Sequence, residues 1–313
     1  MATVRPMTEA DLPAAQRIVR LAFGTFLGAP DPENFWRDRD YIRGRFGAEH
    51  VASFAAEQEG ALAGSNFATR WGSVGFFGPL TTRPDLWDSG IGQRLVAAVC
   101  EQFDAWGLRH TGLFTFPHST KHVGLYGKFG FHPRFLTAIM ALPADAGAPS
   151  GKAMRYGALS EADRRQSETA ARGLTEQLYD GLDLGAEIRT VTARELGDTV
   201  LLPEKDSGLG GFAICHWGQA SEAGEGCCFV KFGAVRPGAG AAERFDALLD
   251  ACAALARGVG MPQVLAGVNT GREEAYRHML RRGFRTQFQG VTMHRPSETG
   301  YSRPGLYVLD DWR

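Results

Sequence analysis

The sequence predicts an α+β protein, a mixed α/β sheet with packed helices, built twice in tandem. Three observations carry that prediction. Residues 76–107 read as a strand, a glycine turn and a helix in succession; an antiparallel meander leads into them; and the same landmarks return later in the chain, Arg83-Pro84 as Arg236-Pro237 and Gly130-Phe131 as Gly283-Phe284, both at an offset of 153 residues.

Val4-Arg5-Pro6 opens the first strand. Thr8-Glu9-Ala10-Asp11 follows as a capping-box pattern, in which side chains three residues apart satisfy the free amides of a helix start. Leu12, Ala15, Ile18, Val19, Ala22 and Phe23 then supply an apolar stripe at helical spacing. Residues 24–47 mix aromatic Phe26, Phe35, Trp36 and Tyr41 with acidic Asp31, Glu33, Asp38 and Asp40, and a second helix is expected in their latter part. Residues 51–57 and 61–71 form strands about the turn Gln58-Glu59-Gly60, and Gly72-Ser73 turns into a third strand. That strand stops at Pro84, which has no N–H to continue a ladder.

Ser89-Gly90-Ile91-Gly92 comes next. After it Ile91, Leu95, Ala98, Val99, Phe103 and Trp106 recur at helical spacing until Gly107. The first turn of this helix is nearly bare of side chains, so its unpaired N–H groups and the positive end of its dipole face outward, a site for phosphate. The stretch lacks the Gly-Lys-Ser/Thr of a nucleotide P-loop and the third glycine of a dinucleotide fingerprint. A strand over residues 110–116, a short helix over 121–128 and a strand over 135–142 complete the first half.

Residues 142–152, rich in Pro, Gly and Ala, read as a linker. The chain then starts again: Ser160-Glu161-Ala162-Asp163 answers Thr8-Glu9-Ala10-Asp11, and Phe245, Leu248, Leu249, Cys252, Leu255 and Val259 repeat the helix after the glycines. The expected division is a domain at 1–143, a linker at 144–153 and a second domain at 154–313 with a C-terminal tail.

Lys plus Arg number 34 and Asp plus Glu 35, so nothing points to nucleic acid or an anionic membrane as the main partner. No apolar run spans a bilayer, and the polar N-terminus is not a signal peptide. The five cysteines (Cys100, Cys215, Cys227, Cys228, Cys252) are odd in number and without metal-ligand spacing, which fits a reducing, cytoplasmic setting.

These residues resemble the GNAT superfamily of N-acetyltransferases. In that family the fourth strand runs into a loop Arg/Gln-x-x-Gly-x-Gly/Ala whose amides hold the pyrophosphate of acetyl-CoA, and the frame falls here on Trp87-Asp88-Ser89-Gly90-Ile91-Gly92. The family's Leu-Tyr-x-x-x-Gly-Phe segment is matched in full by Leu125-Tyr126-Gly127-Lys128-Phe129-Gly130-Phe131. The order of strands and helices agrees over residues 1–143 and, less specifically, 154–295, so the resemblance implies two tandem acyl-CoA N-acyltransferase (GNAT) folds. Trp87 departs from the usual Arg or Gln; Arg94 and Lys121 are candidates to supply the missing phosphate contact. Ser119 stands where the family often has Asn.

The resemblance implies acetyl-CoA as co-substrate, no metal, and a cofactor site made of Leu80, Thr82, Asp88, Ser89, Gly90, Ile91, Gly92, Gln93, Arg94 and Ser119. A backbone N–H near Leu80 to Thr82 would stabilise the oxyanion. Tyr126 resembles the family's general acid, and a phenol stays protonated at neutral pH. No base stands out. His118 and His122 have a suitable ordinary pKa, while Glu57 reads first as an exposed strand residue. The carboxylates of residues 24–47 are expected to form part of an acceptor wall that attracts an amine. By the 153 offset, Glu243 and Phe245 replace Gly90 and Gly92 in the second half, and Met279 replaces Tyr126, so that half is expected to keep the fold without the cofactor.

The expected function is transfer of an acetyl group from acetyl-CoA to a primary amine of a small molecule or peptide in the N-terminal domain. The alternative is a non-catalytic acyl-CoA-binding or interaction protein. A weaker reading makes the C-terminal domain the active one. A homodimer is compatible with tandem domains, although no interface signature is visible.

Overall fold

The structure is a computed structural model that describes residues 2–147, 153–204 and 208–313. The front module runs β1 (Thr3–Pro6), α1 (Leu12–Phe26), β2 (Val51–Gln58), β3 (Ala61–Trp71), β4 (Val74–Phe77), β5 (Thr81–Thr82), α2 (Ile91–Ala105), β6 (His110–Thr115), α3 (Thr120–Gly127) and β7 (His132–Pro143). The back module runs β8 (Met154–Arg155), α4 (Glu161–Thr175), α5 (Gly185–Ala193), β9 (Gly197–Glu204), β10 (Gly208–Gly218), β11 (Gly224–Val235), α6 (Ala241–Gly258), β12 (Gln263–Asn269), α7 (Glu273–Arg281), β13 (Arg285–Arg295) and β14 (Val308–Asp310). Residues 148–152 of the expected linker lie outside the described residues.

Local chemistry explains most element boundaries. The Thr8 backbone N–H and hydroxyl both donate to Asp11 Oδ2, at 2.8 and 2.9 Å, so the capping box forms as expected. Ser160 caps α4 by accepting from the Asp163 N–H at 3.2 Å. The second helix expected within residues 24–47 is absent: a 3-10 turn at Pro32–Asn34 is followed by turns. Pro30, Pro32, Gly44 and Gly47 break the helical run, and Trp36 has a positive φ of 52°.

All fourteen described strands join one sheet, whose path runs β1-β2-β3-β4-β6-β13-β7-β12-β11-β10-β9-β8. At its centre the modules trade strands. β13, from the back module, pairs with β6 of the front module (Val291 opposite Thr115), and β7, from the front, pairs with β12 of the back (Ala266 opposite Met140). The two exchanged strands also pair with each other. Packing follows the exchange. Val291 and Met293 of β13 join the front core of Phe77, Val96, Val99, Phe103 and Phe131, whereas Ala138, Met140 and Leu142 of β7 join the back core of Cys228, Phe245 and Leu248. Burying a side chain such as Leu142 or Met140 is worth about 2 kcal/mol, so each module's core depends on the other's strand. Among the described residues no helix is long and apolar enough to cross a membrane.

Charged contacts tie residues 24–47 to the back module. Buried Arg45 meets Glu222 at 2.8 Å, Glu222 also meets Lys231 at 2.7 Å, and the Asp40 N–H donates to Ser221 O at 2.9 Å. This segment is therefore held in place by the second half of the chain.

Candidate active site

The site begins where two parallel strands part. β4 runs beside β6 with Val74, Gly75 and Phe76 opposite His110, Thr111 and Gly112. After Phe77 the chain bends through Gly78-Pro79-Leu80, and Thr81 and Thr82 pair with Ser65 and Gly64 of β3 instead. The strand expected over residues 76–83 is thus interrupted, because Pro79 cannot donate to a ladder. β6 continues to Thr115 without β4 beside it, and a cleft of about 780 Å³ opens in the gap. The Leu80 N–H, on the cleft wall, donates to no main-chain oxygen among the described residues.

At one end of the cleft α2 begins at Gly90, whose φ of +84° suits glycine, and a Cβ built there would meet nothing within 4 Å. The first intrahelical bond is Arg94 N–H to Gly90 O, so the amides of Ile91, Gly92 and Gln93 precede it and are free for an anion. The loop before them is braced. Trp87 Nε1–H donates to Thr82 O at 3.0 Å, the Ser89 hydroxyl donates to Leu86 O at 2.5 Å, and Lys121 meets Asp88 at 2.7 Å with its ammonium 5.7 Å from the Trp87 ring.

Of the residues expected to bind cofactor, Leu80, Thr82, Asp88, Gly90, Ile91, Gly92, Gln93 and Ser119 line this cleft; Ser89 and Arg94 do not. Lys121 lines it and pairs with Asp88 beside the glycine corner. The Ser119 Oγ accepts from the His122 N–H at 3.3 Å as the cap of α3.

Tyr126 and His122 both line the cleft, whereas His118 is exposed and stacks on Phe26 from outside the lining. Burial pushes the Tyr126 phenol well above its ordinary range, a shift that a hydrogen bond from Thr115 only partly offsets. Its ring packs edge to face on Phe77 at 5.6 Å. His122, half-buried, has its pKa lowered by burial and by the neighbouring charges of Lys121 and His118, so it is a neutral base at pH 7.

The opposite end of the cleft differs from the expectation. Phe26, Trp36, Arg39 and Tyr41 of residues 24–47 line it, but the carboxylates of that segment do not. Asp31 accepts from Asn34, Glu33 pairs with Arg17, Asp38 with Arg39, and Asp40 accepts the Ile42 and Arg43 N–H groups. Each is taken up by a near neighbour, so the amine-attracting acidic wall is not formed.

The back module also lines the site. Leu265, Gln287, Phe288, Trp312 and Arg313 reach the cleft. The strand exchange brings Phe288, and the tail brings Trp312, whose ring fits against Gly112: a Cβ there would fall 2.2 Å from the indole.

In the back module the corresponding place is filled. α6 starts at Gly240 with φ +76°, so the structural counterpart of Gly90 is Gly240, and that of Gly92 is Ala242. The 153 offset fails here because the loop before α6 is three residues shorter in register; Glu243 lies exposed in the first turn and Phe245 is a core residue. What fills the back module is its own tail. β14 pairs with β11, with Val308, Leu309 and Asp310 opposite Ala234, Gly233 and Phe232. Met279, matching Tyr126, is fully buried.

A strand split, a glycine helix start and a buried tyrosine thus meet in one cleft of the front module. Residues 15–131 match the model of the Acetyltransferase (GNAT) family. Among solved structures, a chain from Pyrococcus horikoshii is similar over 99% of this chain and 95% of its own at TM-score 0.68 and 11% identity. A GCN5-related N-acetyltransferase from Sphaerobacter thermophilus is similar over 94% and 95% at TM-score 0.58 and 19% identity. A tandem GNAT protein from the clavulanic acid biosynthesis pathway is similar over 94% and 98% at TM-score 0.56 and 12% identity. At these identities the likeness is one of fold, two GNAT folds in tandem. No curated protein sequence matches the chain.

Proposed function

We propose that the chain is an acetyl-CoA-dependent N-acetyltransferase acting on a primary amine of a small molecule, with the reaction in the front module. One observation carries this reading: the free amides at Ile91 to Gln93, the free Leu80 N–H, His122 and Tyr126 all open into the same cleft. The corner fits a diphosphate. Side chains at Gly90 and Gly92 would occupy open space, with only Leu125 near the latter at 3.7 Å, and helix-start amides and dipole favour an anion there.

Acetyl-CoA would lie with its pyrophosphate on the amides of residues 91–93 and its thioester near Leu80. His122 takes a proton from the incoming ammonium, and the free amine attacks the thioester carbon. The carbonyl oxygen becomes an oxyanion facing the Leu80 N–H, which strengthens its bond as charge develops. The intermediate collapses, the C–S bond breaks, and the phenol of Tyr126 gives its proton to the leaving thiolate. After collapse the amide nitrogen still carries one extra proton, which passes through solvent to the Tyr126 phenolate, and the His122 imidazolium releases its proton to bulk solvent; the net products are the amide, CoA thiol and one proton.

Calorimetric titration with acetyl-CoA and thiol release in the presence of amines test this. Tight binding with thiol release that depends on an amine supports it. Binding without release, unchanged in Tyr126→Phe, would instead favour an acyl-CoA-binding protein, and no binding heat with any acyl-CoA would overturn both.

A further inference from the structure

The acceptor end of the cleft is a continuous line of rings. Phe288 lies 6.3 Å from Phe116, Phe116 5.1 Å from Phe26, and Trp36 5.5 Å from Tyr41 by ring centroids. Among the described residues that line the cleft the sole acidic side chain is Asp88, which sits at the glycine corner and is paired with Lys121. The cations lining the cleft apart from Lys121 are Lys128 and the guanidiniums of Arg39 and Arg313, the last two held by Asp38 and Asp311 at 2.7 Å each. Neither of those aspartates lines the cleft.

The molecule holds part of this wall under strain. Trp312 adopts φ +53°, a left-handed conformation that is costly for a bulky residue, and its indole N–H is fixed on the Tyr301 hydroxyl at 2.8 Å. The tail thereby places Trp312 and Arg313 at the cleft of the other module.

Such a wall discriminates by charge. A polyamine or aminoglycoside would bring further ammonium groups against rings and two arginines with no carboxylate to pair them, and an unpaired buried cation is heavily penalised. A single amine on a flat apolar body brings only the one charge, which it loses to His122 before attack, and no further ammonium. The apolar surroundings also lower the pKa of its ammonium, which eases the proton transfer to His122. We infer that the acceptor is an aromatic monoamine of the arylalkylamine type, a class that rests on the N-acetyltransferase reading above and narrows it.

The test uses the full chain. Thiol release from acetyl-CoA is measured with 2-phenylethylamine, spermidine and kanamycin, and binding of each amine to the CoA-loaded protein is measured by calorimetry. Phenylethylamine is expected to have a kcat/KM about a hundredfold above that of either polycation. Phe288 is 40% exposed, so Phe288→Ala should fold; it is expected to raise the phenylethylamine KM about fivefold with kcat unchanged. Phe288→Glu is expected to narrow the gap between phenylethylamine and spermidine. Preference for a polycation, or phenylethylamine that neither binds nor is acetylated while acetyl-CoA binds, would overturn the acceptor class and leave the transferase reading standing. Absence of acyl-CoA binding would remove that reading and the acceptor class with it.

Discussion

The rings of His110 and His294 meet edge to face across the strand exchange, with Nε2 of the first 3.2 Å from Nδ1 of the second. Both are fully buried. Burial, with the nearby His294 and Arg134, lowers His110 to about 3; burial, with Arg134 and Arg272, lowers His294 to about 4 against a raising bond to Glu298 O. Tyr179 and Trp312 complete the surroundings. In the unfolded chain each imidazole takes a proton near pH 6.5. Below that value the unfolded state binds more protons, so stability is complete above pH 6.5 and is lost as pH falls toward 4. Melting curves from pH 7.5 to 4.5 should show a falling Tm, and His110→Gln should make the slope of unfolding free energy against pH shallower by up to about 1.4 kcal/mol per unit. An unchanged slope would contradict the burial of a neutral ring.

Tyr126→Phe removes the phenol proposed as proton donor and keeps the packing on Phe77. The expected result is a kcat lower by roughly a hundredfold or more with the acetyl-CoA dissociation constant within about twofold. Equal losses in binding and turnover would instead place Tyr126 among the cofactor contacts.

His122 titrates below an ordinary imidazole. The acid limb of the kcat/KM profile is therefore expected to fall below about pH 6.5, and His122→Gln should lower the plateau and abolish that limb. Retention of the limb in the variant would assign it to another group.

Gly90 and Gly240 offer a paired comparison, since both begin a helix with positive φ. Alanine at either should cost about 1–2 kcal/mol of stability. Gly90→Ala alone should also weaken acetyl-CoA binding by about tenfold, a loss of about 1.4 kcal/mol. Loss of binding in Gly240→Ala would move the cofactor to the back module.

The buried pair Arg272 and Asp310, 2.6 Å apart, pins β14 in the back module, with Arg272 Nη1 also donating to Val308 O at 3.0 Å. Arg272→Ala leaves Asp310 uncompensated, and urea unfolding should show a loss of about 3–5 kcal/mol. A change under about 1 kcal/mol would mean that the tail is held by its apolar contacts alone.

The local parts of this structure are legible in the sequence because their causes are local. Thr8 and Asp11 announce a helix start, Gly90 a left-handed cap, and Leu125 to Phe131 a family segment whose tyrosine does reach the cleft. The exchange of β7 and β13 is not legible, since each strand is buried over a continuous run at the centre of the sheet, and such a run does not say which neighbours cover it. The acidic residues 31 to 40 were misjudged because sequence shows charge but not partners: Asp38 and Asp40 are spent on Arg39 and on backbone amides. The register of α6 was misjudged because a constant offset cannot see a loop that differs in length between Pro237 and Gly240.

The crossing of β7 and β13 makes the duplicated chain irreducible. Cutting it at the midpoint would strip each piece of an interior strand and expose two raw sheet edges, so neither piece inherits a complete fold from the other. The two halves therefore make one folding unit, in which the back half is both scaffold and far wall for the cleft of the front half.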